Sequence, residues 1–339
     1  MRTSYLLLSP LIATTLVASA CEEPRAWGEW NSIIAGVSNE RWSEIEDIVY
    51  SALEPRIFTV RPEKMFRVTQ QDPREEDWNQ LQRFRQLLVI GSEDDPWVAQ
   101  ALAELDQDTF DPPELLQVED VWAKGQVVSI ILLSPTGGEE EVATLLDPLF
   151  EVLDTQYRQW VLQRMFMTAP DTALADSLLT EAGFKLLVPE VYYWRREGDV
   201  YVFRNDNPDP SELIRQVTVS WHDVDQSEVG EQEIVAWREE VQESHFSYPQ
   251  VVDTTAMRGR RVEGGDLDFY ELRGIWANPP ESFPAAGPFI TRAIGCPAQG
   301  RTYFVDAWLY APGKEKYQYI IQLETILDTF RCGEAASGV

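Results

Sequence analysis

Beyond its first thirty residues or so, the chain alternates short apolar runs with acidic, turn-rich segments. Asn31 to Val37 reads as a short apolar strand. Asn39 is placed to cap a helix in which Trp42, Ile45, Ile48 and Val49 share one face. Arg56 to Val68 alternates like an edge strand and is interrupted by Pro62, since proline cannot donate to a ladder. Asp72-Pro73 opens a polar helix with proline at its first position. Leu87–Ile90 and Val127–Leu133 are continuous apolar runs of the kind buried on both faces, with a helix over Pro96–Leu105 between them. Setting the polar helix aside, the order is β-α-β-β-α-β, that of the ferredoxin-like split unit. A long helix from Glu139 to about Gln163 follows.

The pattern then recurs. Ala123-Lys124-Gly125-Gln126, an apolar strand, Pro135 and a helix are matched by Ala298-Gln299-Gly300-Arg301, an apolar strand, Pro312 and a helix. Ile33–Val37 with its helix resembles Met165–Thr168 with the helix to Ala182, and Val60-Arg61-Pro62-Glu63 resembles Leu187-Val188-Pro189-Glu190. Strands at Tyr192–Arg195, Tyr201–Arg204 and Val217–Trp221 precede a helix at Glu231–Glu243. The predicted fold is therefore α+β: two tandem ferredoxin-like copies, 30–163 and 164–332, with mostly antiparallel sheets and helices on one face. The offset between matched positions grows along the chain, which places an insertion at about 244–297. It holds the one basic cluster, Arg258 to Arg261, and a proline-rich stretch from Asn278 to Pro288 expected to be irregular. Residues 333–339 read as a tail.

The start of the chain has a different character. Arg2, an apolar run from Tyr5 to Val17 and the small residues Ala18-Ser19-Ala20 before Cys21 are the parts of a secretory signal. The triplet running into Cys21 resembles the lipobox of bacterial lipoproteins, in which that cysteine is acylated and becomes the new N-terminus. Residues 1–20 are expected to be the signal peptide and 21–29 a lipidated tether. The mature protein is then anchored to a membrane through lipid on Cys21, in the bacterial cell envelope and facing the periplasm or the surface. Of three cysteines, Cys296 and Cys332 remain, an even pair in an oxidising compartment. A strand from Arg301 to Tyr310 and a helix from Lys314 to Phe330 run for similar lengths in opposite directions, which brings these two cysteines together as a disulfide.

Charge and composition narrow the chemistry. There are 57 acidic against 28 basic residues, a net charge of −29, and such a surface repels nucleic acid and anionic headgroups. With two histidines, His222 and His245, and no third free thiol, a zinc site of the usual Cys/His type is not expected, and no other metal or cofactor is. Neither a Gly-x-Ser-x-Gly elbow nor a phosphate-cradling glycine loop occurs. Paired carboxylates of a glycan hydrolase stay open, with Trp27, Trp30, Trp194 and Trp276 available to stack on sugars, although aromatic residues on strands usually serve packing.

Several stretches together resemble the DUF 4837 family of envelope lipoproteins: Val121-Trp122-Ala123-Lys124, Arg273-Gly274-Ile275-Trp276, Gly287-Pro288-Phe289, Tyr310-Ala311-Pro312, and Gln322 to Leu327. The resemblance implies an exported protein of unknown function and supplies no catalytic residues. It directs attention to Trp122, Lys124, Arg273, Trp276, Gly287, Pro288 and Phe289. Arg273 and Trp276 lie three apart, so on a strand they face opposite sides. In one reading Arg273 sits in a charge-paired network and Gly287 permits a turn. In another, Trp122, Lys124 and Arg273 converge on a groove between the copies. The sequence thus points to a non-catalytic binding or assembly module with an envelope protein or glycan as partner. A carboxylate-dependent glycan hydrolase and a binder of small ligands between the copies are the alternatives.

Overall fold

The computed structural model describes residues 24–246 and 250–334. In the first half the elements are β1 (Ser32–Gly36), α1 (Asn39–Leu53), β2 (Arg56–Ile57), β3 (Glu63–Lys64), β4 (Arg67–Gln71), α2 (Trp78–Leu81), β5 (Gln86–Gly91), α3 (Pro96–Leu102), β6 (Glu114–Glu119), β7 (Val127–Leu132) and α4 (Glu139–Met165). The second half contains α5 (Thr172–Ala182), β8 (Phe184–Lys185), β9 (Tyr193–Glu197), β10 (Val200–Asn205), β11 (Ile214–His222), α6 (Glu231–His245), β12 (Val251–Val262), β13 (Phe269–Ala277), β14 (Ala286–Cys296), β15 (Arg301–Tyr310), α7 (Tyr317–Asp328) and β16 (Arg331–Cys332).

The α+β class holds, but the tandem ferredoxin-like arrangement does not form. The first sheet has the order β4-β1-β5-β7-β6, and its β4-β1, β1-β5 and β5-β7 pairs are all parallel; only β6 runs antiparallel. Element order alone cannot separate this pairing from the split unit. β5 is buried along its whole length, so both faces of the sheet need a helical cover. Accordingly Ala35, Leu88 and Ile131 pack with α1 and α4 on one side, while Ile34, Val89 and Ile130 pack with Trp97 and Val98 of α3 on the other.

The second sheet is a seven-stranded antiparallel one, β12-β13-β14-β15-β11-β10-β9. It too has helices on both faces: α6 on one, α5 and α7 on the other. The region read as an insertion is not a connector. It supplies β12, β13 and β14, and β14 is bonded along its length to β13 and β15. Within the proline-rich stretch, irregular backbone is confined to Asn278–Ala285, so Gly287 and Pro288 are strand residues. The recurring strand-proline-helix segments exist, but β7 pairs parallel with β5 whereas β15 pairs antiparallel with both neighbours, so the halves are not structural copies.

Local signals account for most boundaries, with two shifts. Ser38, not Asn39, caps α1, its hydroxyl accepting from the Arg41 N–H. Asp72-Pro73 opens a turn rather than a helix. The buried Asp72 carboxylate accepts the backbone N–H groups of Asn39 and Arg74 and pairs with the Arg74 guanidinium. The Arg74 hydrogen bond first, against the cost of burial, holds its carboxyl well below the usual carboxylate range. Three glutamates in the first turn of α4 suit its positive N-terminal end. Its stripe Val142, Leu146, Leu149, Leu153, Tyr157 and Val161 joins the first sheet to α7 in one continuous core. Cys296 and Cys332 form a disulfide, with Cα atoms 5.7 Å apart, closing the end of β14 onto β16.

Candidate functional site

The antiparallel sheet carries one buried ion network on each face. On the α7 face, Glu271 lies directly across from Arg260 on β12 and from Arg292 on β14, and all three charges meet. Arg273 adds a bond to Glu271 at 2.9 Å and reaches Glu324 of α7 at 2.7 Å. Glu324 continues to Arg158 of α4 at 3.0 Å, and Arg292 continues to Asp328 at 2.7 Å. Burial alone would raise the pKa of Glu271, but Arg273 and Arg292 outweigh it and hold the carboxyl low. Tyr317, at the start of α7, is pushed up by burial and by its hydrogen bond to Asp154. On the opposite face, Arg238 of α6 is 1% exposed and bonds Asp306 of β15 at 2.8 and 3.2 Å, with its guanidinium 3.9 Å from the centre of the Phe289 ring. These pairs fasten helices to the sheet, and their charges are neutralised within the network.

Next to Arg238, between α6 and the sheet, the same face opens into a cleft of about 730 Å³. Its floor follows from strand register. Tyr193 of β9 lies across from Arg204 of β10, Arg204 from Gln216 of β11, and Gln216 from Trp308 of β15. The neighbouring positions Ile214 and Tyr310, also paired, widen this floor. Trp276 of β13 packs edge-on against Trp308, with ring centres 5.3 Å apart. Phe283 projects from the Asn278–Ala285 loop at the cleft mouth, 69% exposed. That loop is fixed by hydrogen bonds from the Asn278 side chain to the Phe283 carbonyl and from the Asn278 N–H to the Ala285 carbonyl.

Two properties set this cleft apart. First, Trp276 and Trp308 are buried, yet neither indole N–H has a hydrogen-bond partner among the described residues. Buried donors of this kind are ordinarily paired, and two of them stand together at this cleft. Second, none of the described lining residues is Asp or Glu, in a chain with 57 of them. A hollow of about 680 Å³ near the disulfide is the reverse: Asp223, Asp225, Asp266 and Asp268 line it, no tryptophan does, and it contains no unpartnered buried side-chain group. The carboxylates and the tryptophans that a glycan hydrolase would combine are thus in different hollows. Between the two halves there is a smaller cavity of about 230 Å³, below the size of most ligand pockets.

The sequence-derived candidates are scattered by the fold. Arg273 and Trp276 do face opposite sides of β13, Arg273 toward α7 and Trp276 into the cleft. Gly287 does not make a turn: a Cβ there would overlap the Leu309 carbonyl, so glycine is required by a close approach of backbone. Pro288 is buried in β14, and Phe289 is buried under Arg238. Trp122 and Lys124 do not converge with Arg273. Trp122 is on the far side of the parallel sheet, edge-on to Trp78 and bonded to Gln100, and exposed Lys124 holds the N-terminal segment at Pro24 and Ala26. Trp27 packs on Phe84 and Trp30 near Trp160, so they form no platform with Trp194 and Trp276. His222 packs against Phe304; His245 lies in the cleft wall, 3.4 Å from Glu197. Among the described residues no His, Cys, Asp and Glu group is arranged to hold a metal ion. Cys21 lies outside the described residues. Sequence reasoning passed over Tyr193, Arg204, Gln216 and Trp308, which carry no linear motif; only register unites them.

An α+β protein with a ligand-sized cleft on an antiparallel sheet is the class these features define. Residues 171–329 match the family described as Domain of unknown function (DUF4837), the family that the sequence motifs resemble. The matched stretch runs from the N-cap of α5 to the end of α7 and contains the cleft and, apart from Arg158, both ion networks. No curated protein matches the chain. Among solved structures it is similar to cyanobacterial PsbP (CyanoP) from Synechocystis sp. PCC 6803, at 11% identity and a TM-score of 0.31, over 45% of this chain and 88% of that one. The Saccharomyces cerevisiae Ran-binding protein Mog1p is similar at 12% identity and a TM-score of 0.31, over 46% and 93%. LpqN, involved in cell envelope biogenesis of Mycobacterium tuberculosis, is similar at 13% identity and a TM-score of 0.29, over 44% and 83%. Likenesses at this level carry no functional information.

Proposed function

We propose that the protein is a non-catalytic binding module of the bacterial cell envelope, held to a membrane through lipid on Cys21, and that it takes a small ligand in the α6-face cleft. The observation that carries this reading is the pair of buried, unpartnered indole N–H groups of Trp276 and Trp308 in a cleft of about 730 Å³. Leaving such donors unpaired costs about 1–3 kcal/mol each, and a bound acceptor removes that cost. The anchor rests on the Ala18-Ser19-Ala20-Cys21 motif, and among the described residues no helix is long and apolar enough to cross a membrane. An envelope protein or glycan partner is compatible with the acidic surface, which disfavours nucleic acid.

The test is titration with the neutral fluorescent probe N-phenyl-1-naphthylamine. One saturable site is expected, weakened about tenfold or more by Ala285→Trp, which fills the mouth of the cleft. Non-saturable uptake, or binding indifferent to Ala285→Trp in a variant that keeps its melting temperature, would overturn the reading.

A further inference from the structure

The lining of the cleft also selects among ligands, an inference that rests on the binding reading above. Every charged group the sheet contributes to it is a cation or a donor. Along the floor row these are the Arg204 guanidinium, the Gln216 amide and the Trp308 N–H, with Trp276 beside them; the Tyr193 hydroxyl is already taken, donating to Asp206 at 3.0 Å. Arg195, on the same face of β9 as Tyr193, adds a second guanidinium. The carboxylates that pair with the arginines, Glu197 at 2.9 Å from Arg195 and Asp206 at 3.2 Å from Arg204, stand outside the lining. Neither is a lining residue, so the cleft presents two guanidinium groups and no carboxylate among its described side chains. The rest of the lining is mixed: Ile214, Val202 and the rings of Trp276 and Phe283 are apolar, while Gln242 and Gln250 are among its polar members.

Donors in a row beside an apolar wall are complementary to a molecule that carries acceptor oxygens on an apolar body. A cation is disfavoured there, because two guanidinium groups and no carboxylate are among the described lining residues, even though the chain as a whole is strongly anionic. We infer that the cleft binds an amphiphilic carboxylate. Its carboxylate oxygens take the Arg204, Gln216 and indole donors, and its apolar body lies between Trp276, Ile214 and Phe283. Phe283, held out over the mouth by the bonded Asn278 loop, then covers the body of the ligand and loses its exposure.

The experiment compares three probes with the same body: dodecanoate, dodecanol and dodecyltrimethylammonium, each displacing N-phenyl-1-naphthylamine from the full-length protein below micelle-forming concentrations. Dodecanoate is expected to bind about tenfold more tightly than the alcohol, and the ammonium most weakly, as charge-assisted bonds to a guanidinium imply. Arg204→Gln is expected to remove that preference, and Arg195→Gln to reduce it, while Lys124→Gln, far from the cleft, keeps it. Equal affinity for all three probes would overturn the carboxylate inference and leave the cleft reading standing. Preference for the ammonium would overturn it outright. If the naphthylamine itself finds no site, both readings fall.

Discussion

Trp276 and Gly287 face each other across β13 and β14, and the indole nitrogen of Trp276 lies 2.9 Å from where a Cβ on residue 287 would stand. On its other side that Cβ would overlap the Leu309 carbonyl of β15, which is backbone and cannot swing away. One glycine therefore lets three strands approach and fixes the height of an indole that walls the cleft. Gly287→Ala is expected to destabilise the fold by about 3 kcal/mol, as overpacking a well-filled site does. Denaturant unfolding measures this, and the tryptophan emission of the folded variant should shift as Trp276 is displaced. A variant as stable as the parent would show that β14 and β15 can move apart freely.

Glu271 is a second point at which the sheet is fastened. Its carboxyl titrates below the ordinary glutamate range, held there against burial by Arg273 and Arg292. A depressed folded-state pKa means that the stabilising contribution is complete above the unfolded value near 4.3 and is lost as the pH falls through the folded value. Glu271→Gln leaves Arg260, Arg273 and Arg292 without their shared counter-ion, at a cost of about 3–5 kcal/mol at neutral pH. The gap in stability between parent and variant should then narrow on acidification below about pH 4. Thermal melts from pH 7 to pH 3 check this; a gap that stays constant would remove Glu271 as the group responsible.

Much of this was legible in advance, and the part that was not has a physical reason. The apolar runs at Leu87–Ile90 and Val127–Leu133 identified buried strands because a strand covered on both faces has no polar side to show. They did not reveal that the strands pair in parallel, since the element order is common to both topologies. The strands inside the insertion at about 244–297 were not legible because Arg258–Arg261 and the prolines mask alternation; in fact β13 alternates Leu272 and Trp276 with Glu271 and Arg273, one set under α6 and one against α7. The buried charges broke the hydrophobic pattern that would have marked a central strand. The cleft was legible only at Trp276, because its donors come from four further positions on four strands. Their adjacency is a product of register, which single-sequence patterns do not encode.

The disulfide offers a simpler measurement. Cys296 and Cys332 are 36 residues apart, and cross-linking a loop of that length removes unfolded-state entropy worth about 3–4 kcal/mol. Because β16 follows α7 directly and pairs with β8, the crosslink also keeps the end of α7 in place. Reduction under native conditions, or Cys332→Ser, should lower the melting temperature by several degrees without changing the far-ultraviolet circular dichroism at room temperature. An unchanged melting temperature would show that the α7 end is held by its apolar contacts alone.

Cys21→Ser tests the anchor separately from the cleft. The variant is expected to move from the membrane pellet to the soluble fraction of the host bacterium while retaining N-phenyl-1-naphthylamine binding. Retention in the pellet would mean that something other than lipid on Cys21 holds the protein there.

Trp308 and Trp122 provide the sharpest contrast between a ligand donor and a structural one. Each carries an indole N–H, but that of Trp122 is already bonded to Gln100 at 3.0 Å on the far side of the parallel sheet, whereas that of Trp308 has no partner among the described residues. Phenylalanine keeps most of the ring and removes the donor. At Trp122 the change breaks a satisfied, half-exposed bond, with a cost of about 1 kcal/mol in stability and none in binding. At Trp308 it removes a buried donor that was unsatisfied, so the free protein should be no less stable while the bound carboxylate loses a partner. Trp308→Phe is therefore expected to weaken dodecanoate about fivefold to tenfold, and Trp122→Phe to leave its affinity unchanged. Calorimetric titration of both variants with dodecanoate reads the difference. Equal affinities would show that the Trp308 N–H plays no part in binding, and a loss confined to Trp122→Phe would move the site to the other half of the chain.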